Sequence, residues 1–263
     1  MNDLNPLPCL IGLDADELAE IKDRAGGPMV CHELVPKILV RDQQLFVQSA
    51  SGGRMLPVSK VVYHGIFEHD HDFITGLALW GGPCMPNAAA MMDCRLKLPC
   101  LVRALRHSRF ADPPRGYCSP DQDYPASRPS VAKWGNWHCG ENKERFDRMY
   151  CPDEPSIIEP FIEGNAVRVV VIGDEAWQVR LEGDGWLKSI HHDAAKLEPL
   201  DADLVADTRA VAGGMGLEIA ANDYLVDTSG TPHLLELNHI PNVTRFSEIW
   251  DGYRRHVLRW LDG

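Results

Sequence analysis

Apolar positions along this chain change period repeatedly, and each change marks an element. Alternating or continuous apolar runs predict strands over 9–13, 60–64, 130–133, 156–162, 166–172, 175–181, 222–226 and 233–237, with a hairpin-like pair over 37–49. The 166–172 run is nearly continuous in Val, which marks a strand buried on both faces. Helical spacing predicts an amphipathic helix led by Asp14 through Arg24 and another over 93–107, with Leu98, Leu101, Val102 and Leu105 on its inner side. A third, over 203–215, stops at Gly216, and a last one carries Phe246, Ile249, Trp250, Tyr253, Val257 and Trp260 on one stripe. Gly173-Asp174 is a two-residue turn that makes a hairpin of the strands on either side.

Residues 73–92 carry no charge, but Gly76, Gly81, Gly82, Pro83, Pro86 and Asn87 interrupt them, so they predict a buried helix or strand followed by a loop rather than a membrane span. A Pro-rich stretch over 112–129 breaks every pattern and suggests a domain seam. The first ninety residues mix strands and helix as a small α/β unit. At 263 residues the chain has the length of one large or two ordinary domains, and needs no staple to build a core.

The net charge of −12 and the lack of any Lys/Arg block exclude broad nucleic-acid binding and leave room for a local phosphate site. Eight cysteines without a Cys-x-x-Cys pair give neither a zinc ribbon nor a disulfide scaffold, so free thiols in a reducing cytoplasm are expected. The first ten residues have no signal-peptide pattern, and no membrane partner is expected.

Three segments carry chemistry. In 233–238, Glu236 and Asn238 stand two apart on a strand and share a face, and Asp223 on the neighbouring strand can reach it. Three oxygen donors at a strand end suit Mg²⁺, although alternation alone also puts polar residues on a solvated hairpin face. Lys133 ends a strand before the loop 134–140, where Gly135 and Gly140 allow backbone N–H groups to approach an anion. Arg168 and Arg180 on adjacent strands could clamp a phosphoryl group, or serve singly as surface ion-pair partners.

The order of these pieces resembles the ATP-grasp superfamily, in its branch of carboxylate–amine ligases that includes ribosomal-protein glutamate ligases and glutathione synthetase. A strand-borne Lys133 precedes a lid with Gly135 and Gly140; the hinge Glu159-Pro160-Phe161-Ile162, the Arg168 strand, Asp223 and finally Glu236-Leu237-Asn238 follow. The resemblance covers about 86–242. It implies an α/β (α+β) ATP-grasp fold: an N-terminal domain over 1–90, a central lobe with lid over 91–160 and a C-terminal lobe with the metal site over 161–263. It implies ATP and two Mg²⁺ ions, replaceable by Mn²⁺, with Asp223, Glu236 and Asn238 as ligands. Lys133 and the lid would hold phosphates, and the hinge near Phe161 and Ile162, helped by Glu159, would hold adenine. Arg180 and Arg168 would steady the transferred phosphoryl group.

The chain departs from the family pattern in three places. The second phosphate lysine is replaced by Arg95 or Lys97; Asn165 and Ala166 stand where an acid usually holds ribose, leaving Glu163 as substitute; and the lid carries Trp134, Trp137, His138 and Cys139. The activity implied is ATP-dependent joining of a small-molecule or peptide carboxylate to an amine, with Asn242 and Arg245 contacting substrate. Rival functions are an ATP-grasp kinase and a nucleotide-binding regulator without turnover. Of the remaining motifs, Glu68-His69-Asp70-His71-Asp72 reads as an exposed polar loop rather than a metal cluster, and His191-His192 as a surface connection.

Overall fold

The computed structural model describes residues 5–136 and 142–263, which form two compact units. The first holds the chain up to Asp93, Gly216–Ile219 and His239–Gly263; the second holds Cys94–Met215 and Ala220–Asn238.

The first unit begins with β1 (Leu7–Ile11), α1 (Ala15–Ala25), β2 (Val30–His32), β3 (Ile38–Arg41), β4 (Gln44–Gln48), β5 (Met55–Tyr63), α2 (His71–Trp80), β6 (Cys84–Met85) and α3 (Ala88–Cys94). Asp14 caps α1 in a reciprocal box with Glu17, and Gly26 closes the helix at φ 64°. The strands form one sheet in the order β2-β1-β5-β4-β3, with β6 beside β5. The β3–β4 hairpin turns on Asp42 and Gln43, both at positive φ (53° and 59°). Cys9, Ile11, Val61, Tyr63, Ile74 and Leu77 are among the residues that fill the core.

The second unit holds α4 (Lys97–Ala104), β7 (Gly116–Cys118), β8 (Tyr124–Pro125), β9 (Ser130–Trp134), β10 (Lys143–Phe146), β11 (Met149–Tyr150), β12 (Ser156–Pro160), β13 (Gly164–Ile172), β14 (Glu175–Arg180), β15 (Lys196–Glu198), α5 (Ala202–Gly214), β16 (Ile219–Asp227) and β17 (Pro232–Asn238). Its strands make a four-stranded sheet β10-β9-β12-β7, a β8–β11 pair and a five-stranded sheet β15-β14-β13-β16-β17. The chain ends with α6 (Ser247–Asp262), which belongs to the first unit and packs on α1, where the Trp250 indole N–H donates to Glu20 at 3.0 Å.

Several expectations change. The uncharged stretch holds parts of two helices and a short strand, not one element and a loop. The single helix over 93–107 is two, because Pro99, with no N–H to donate, sits in the first turn of a new helix α4 after a break at Arg95-Leu96. The Pro-rich stretch is no seam, since it carries β7 and β8 inside the second unit. Asp70 of the expected polar loop is buried, accepting from the Tyr63 hydroxyl at 2.8 Å and the Phe67 N–H at 3.0 Å. Among the described residues no helix is long and apolar enough to cross a membrane.

Candidate active site

In the four-stranded sheet of the second unit, Lys133 lies between Lys143 on β10 and Ile157 on β12, and Val131 lies opposite Glu159. Side chains alternate along each strand, so Val131, Lys133, Lys143 and Glu159 share one face. The opposite face packs Cys118, Ala132, Phe146 and Ile158 into a small apolar core, which leaves the first face to carry charge.

That charge is buried. Lys133 and Glu159 pair at 2.5 Å with side chains 4% and 8% exposed, and the Lys133 ammonium also donates to the Leu235 carbonyl at 3.1 Å. On the other side of Glu159, Arg115 Nε lies 3.7 Å from Oε2. Burial first, and then the positive charge of Lys133, push the pKa of Lys143 down; Lys97 adds to the push, and Glu236, 3.9 Å from the Lys143 ammonium, opposes it. Lys97, at the first turn of α4, is itself buried, and its ammonium makes no hydrogen bond among the described residues. A depressed lysine among other cations marks a place that favours an anion.

The β16–β17 hairpin supplies the opposing charge. Asp223 lies directly across from Glu236, and Ala221 from Asn238, so Asp223, Glu236 and Asn238 project on the same side. Arg168 on β13 grips Asp223 with two hydrogen bonds of 2.6 and 2.8 Å. Burial disfavours the Arg168 charge, but the Asp223 carboxylate more than offsets it and the pKa is raised.

Between the four-stranded and five-stranded sheets is a cavity of about 310 Å³, bounded on its polar side by Lys133, Lys143, Glu159, Asp223 and Glu236. Its apolar side is Val131, Phe161, Ile162, Ala166, Leu181, Leu225 and Leu235, with Trp186 and Leu187 at the edge. A narrow apolar slot ending in charge suits a flat aromatic group attached to phosphates.

The same wall fits a hard divalent cation. Among the described residues no three His, Cys, Asp or Glu side chains are grouped to hold a metal ion, so a cation here would use two carboxylates, an amide oxygen, phosphate oxygens and water, a set that suits Mg²⁺. The Asn238 amide nitrogen is buried without a hydrogen-bond partner among the described residues, and turning the amide over presents its oxygen instead.

The structure thus brings Lys133, Glu159, Phe161, Ile162, Asp223 and Glu236 to one cavity, with Arg168 behind Asp223. Arg180 is a correction. Val167 lies opposite Arg180 and Arg168 opposite Val179, so the two arginines point to opposite faces of the sheet and form no clamp. Arg180 pairs instead with Glu182 at 2.7 Å and Glu198 at 3.8 Å. Glu163 is exposed and does not line the cavity. The Phe161 N–H is engaged by the Pro129 carbonyl at 2.8 Å and so is not a free hinge donor. Gly135 has φ 71°, where a Cβ would meet the Asn142 amide at 2.7 Å. Gly140, Trp137, His138 and Cys139 lie outside the described residues. Asn242 and Arg245 belong to the first unit; Asn242 Oδ1 accepts from the backbone N–H groups of Thr244 and Arg245, and the Arg245 guanidinium lies over the Phe246 ring at 5.7 Å.

Sequence reasoning missed Lys143, Arg115 and Trp186. Lys143 alone carried a signal, as a lysine just past the loop that Lys133 opens. Of the alternatives Arg95 and Lys97, it is Lys97 whose charge reaches Lys143.

No protein-family model matches the chain, and no curated protein sequence matches it. Solved structures do. A RiPP-associated ATP-grasp ligase of Chryseobacterium gregarium, in complex with ADP and a leader and core peptide, is similar at 13% identity and TM-score 0.65, covering 97% of this chain and 96% of that one. The ATP-grasp ligase PsnB, complexed with a minimal precursor, Mg and ADP, is similar at 12% identity and TM-score 0.63, over 99% and 100% of the two chains. D-alanyl-alanine synthetase A of Vibrio cholerae is similar at 12% identity and TM-score 0.65, over 98% of each chain. Likeness over nearly the whole of each chain at such low identity is likeness of architecture, and that architecture is the ATP-grasp fold.

Proposed function

We propose that this chain is an ADP-forming carboxylate–amine ligase. The observation that carries the reading is the convergence, in one cavity, of buried lysines, an apolar slot and the Asp223–Glu236 wall with Asn238 beside it. The ligase neighbours of the same fold, two of them holding ADP, support it. In this reading 1–90 is an N-terminal domain, and the lobes over 91–160 and 161–263 contribute the four-stranded and five-stranded sheets that wall the cavity.

Val131, Phe161, Ile162 and Leu235 enclose the adenine of ATP and exclude water around it. Lys97, Lys133 and Lys143 donate to its phosphate oxygens. Asp223, Glu236 and Asn238 would hold Mg²⁺, or Mn²⁺ in its place, and Arg168 fixes the Asp223 carboxylate in orientation. The bound metal supplies neutralisation of phosphate charge during transfer. A substrate carboxylate oxygen forms a bond to the γ-phosphorus as its bond to ADP breaks. The amine then attacks the acyl carbon of that mixed anhydride, its proton is lost to solvent, and inorganic phosphate leaves. Phosphoryl transfer asks the protein for positioning and charge more than for covalent help, which is what these side chains offer. A peptide carboxylate is the preferred acid, supported by the leader and core peptide in the Chryseobacterium gregarium neighbour. A cytoplasmic setting is supported by the seven described cysteines, all free thiols.

The test is incubation with ATP, Mg²⁺ and paired panels of amino acids and short peptides. Phosphate release that requires both an acid and an amine is expected. A phosphorylated product without free phosphate would make the chain a kinase, and nucleotide binding without ADP formation across the panels a regulator.

A further inference from the structure

We infer that Arg115 is a positioning residue that takes over Glu159 when Lys133 turns from it onto bound phosphate. This rests on the nucleotide reading of the cavity. Lys133 faces that cavity, yet its ammonium is held by Glu159 Oε1 at 2.5 Å and the Leu235 carbonyl at 3.1 Å. A polyphosphate that draws Lys133 away strands Glu159, a carboxylate whose side chain is only 8% exposed. An unpaired buried charge is among the most unfavourable things a fold can hold, so nucleotide binding is weakened unless a second cation takes the carboxylate.

Arg115 is placed to do so. Its Nε is 3.7 Å from Glu159 Oε2, and these two buried atoms are both without a hydrogen-bond partner among the described residues. The rest of the guanidinium is anchored: Nη1 donates to the carbonyls of Ala111 and Pro113, and Nη2 to that of Leu234. A fixed fork thus presents one unused N–H to one unused carboxylate oxygen. A shift of less than an ångström brings 3.7 Å into the ordinary N–H···O range of about 2.7–3.2 Å. Arginine suits the place because its planar, permanently charged group can be tied at two nitrogens and still offer the third. Glu159 is then a shared counter-ion, with Lys133 in the empty site and with Arg115 in the loaded one.

The experiment is calorimetric titration of the full chain with ADP in Mg²⁺, using wild type, Arg115→Met, Glu159→Gln and the double variant. Arg115→Met is expected to weaken ADP binding on the order of 10- to 100-fold, whereas in the Glu159→Gln background the same replacement changes affinity by less than about twofold. Equal weakening in both backgrounds means Arg115 serves the fold alone and overturns the inference. Wild type that binds no ADP overturns the nucleotide reading itself, a different failure. Should Arg115→Met not fold, a crystal structure of the wild-type ADP complex decides: Lys133 parted from Glu159 with Arg115 Nε within about 3.2 Å of it is expected, and an unchanged Lys133–Glu159 pair refutes the exchange.

Discussion

Replacing Arg168 by Met removes the group that fixes Asp223, and the structure sets the size of the effect. The two side chains are 13% and 14% exposed and joined by two short hydrogen bonds. Removing one partner of a buried pair costs about 3–5 kcal/mol, because the survivor is left desolvated and alone; the residual exposure places this pair at the lower end, about 3 kcal/mol. Asp223 also stands directly opposite Glu236, so the lost cation leaves two neighbouring carboxylates without the guanidinium that screened them. At about 2–4 °C per kcal/mol for chains of this length, calorimetry without metal should show Tm lower by about 6–12 °C. If the two units melt separately, the second unit's transition is the one that moves. Asp223→Asn on top of Arg168→Met removes the stranded charge and should recover much of the loss. Mg²⁺ should raise the Tm of Arg168→Met more than that of wild type, since a cation at Asp223 replaces the missing one. A loss under about 1 kcal/mol, or a double variant no better than the single, would show that the pair does not support the fold. Equal metal shifts in both proteins would place the cation elsewhere.

Glu236→Gln should lower ligase turnover by at least about 100-fold with an unchanged circular dichroism spectrum, and retained turnover would remove Glu236 from the metal wall. Lys143→Met takes away one charge-assisted donor and should weaken ADP binding about 10- to 100-fold, read by calorimetry; an unchanged affinity would put Lys143 outside the phosphate contacts. In the first unit, burial lowers the pKa of His64 from the ordinary imidazole value of 6.5 to about 4, beside the Tyr253 ring at 4.7 Å. The unfolded chain therefore takes up the proton first, so the stability tied to neutral His64 is full above pH 6.5 and is lost as pH falls towards 4. Because the ring keeps some surface exposure, we expect the smaller part of that linkage, about 1 kcal/mol between pH 7 and 5, measured by urea unfolding. His64→Phe should flatten that loss, and equal losses in both proteins would refute the assignment.

What the sequence made legible was what local geometry decides. Period-two alternation puts Glu236 and Asn238 on one side, but Asp223 joins them only through a register shift between Asp223 and Tyr224, since counting outward from the turn would set it opposite Leu235. Lys133 and Glu159 were visible singly, but their pairing depends on the register of β9 against β12, strands more than twenty residues apart, and no local pattern states it. Arg115 lies further out of reach: it reads as one polar residue in a broken pattern, and acquires meaning only when the fold buries it next to Glu159.

The misplacement of Arg180 has a different origin, because the information to avoid it was present. A two-residue turn at Gly173-Asp174 puts Ile172 opposite Glu175, and counting outward puts Arg168 opposite Val179; Arg180 must then face the other way. Its loss from the cavity alters the electrostatics less than it first suggests. The chain carries a net charge of −12, yet around the cavity the cations Lys97, Lys133, Lys143, Lys188, Arg115 and Arg168 outnumber the carboxylates Glu159, Asp223 and Glu236. In a site walled by apolar side chains these near charges act through a lower effective dielectric than the scattered, solvated acids of the surface, so they govern what binds. Burial first, and then the charges of Lys133 and Lys97, hold the Lys143 pKa down, and in the nucleotide reading a polyphosphate supplies the counter-charge that these lysines lack.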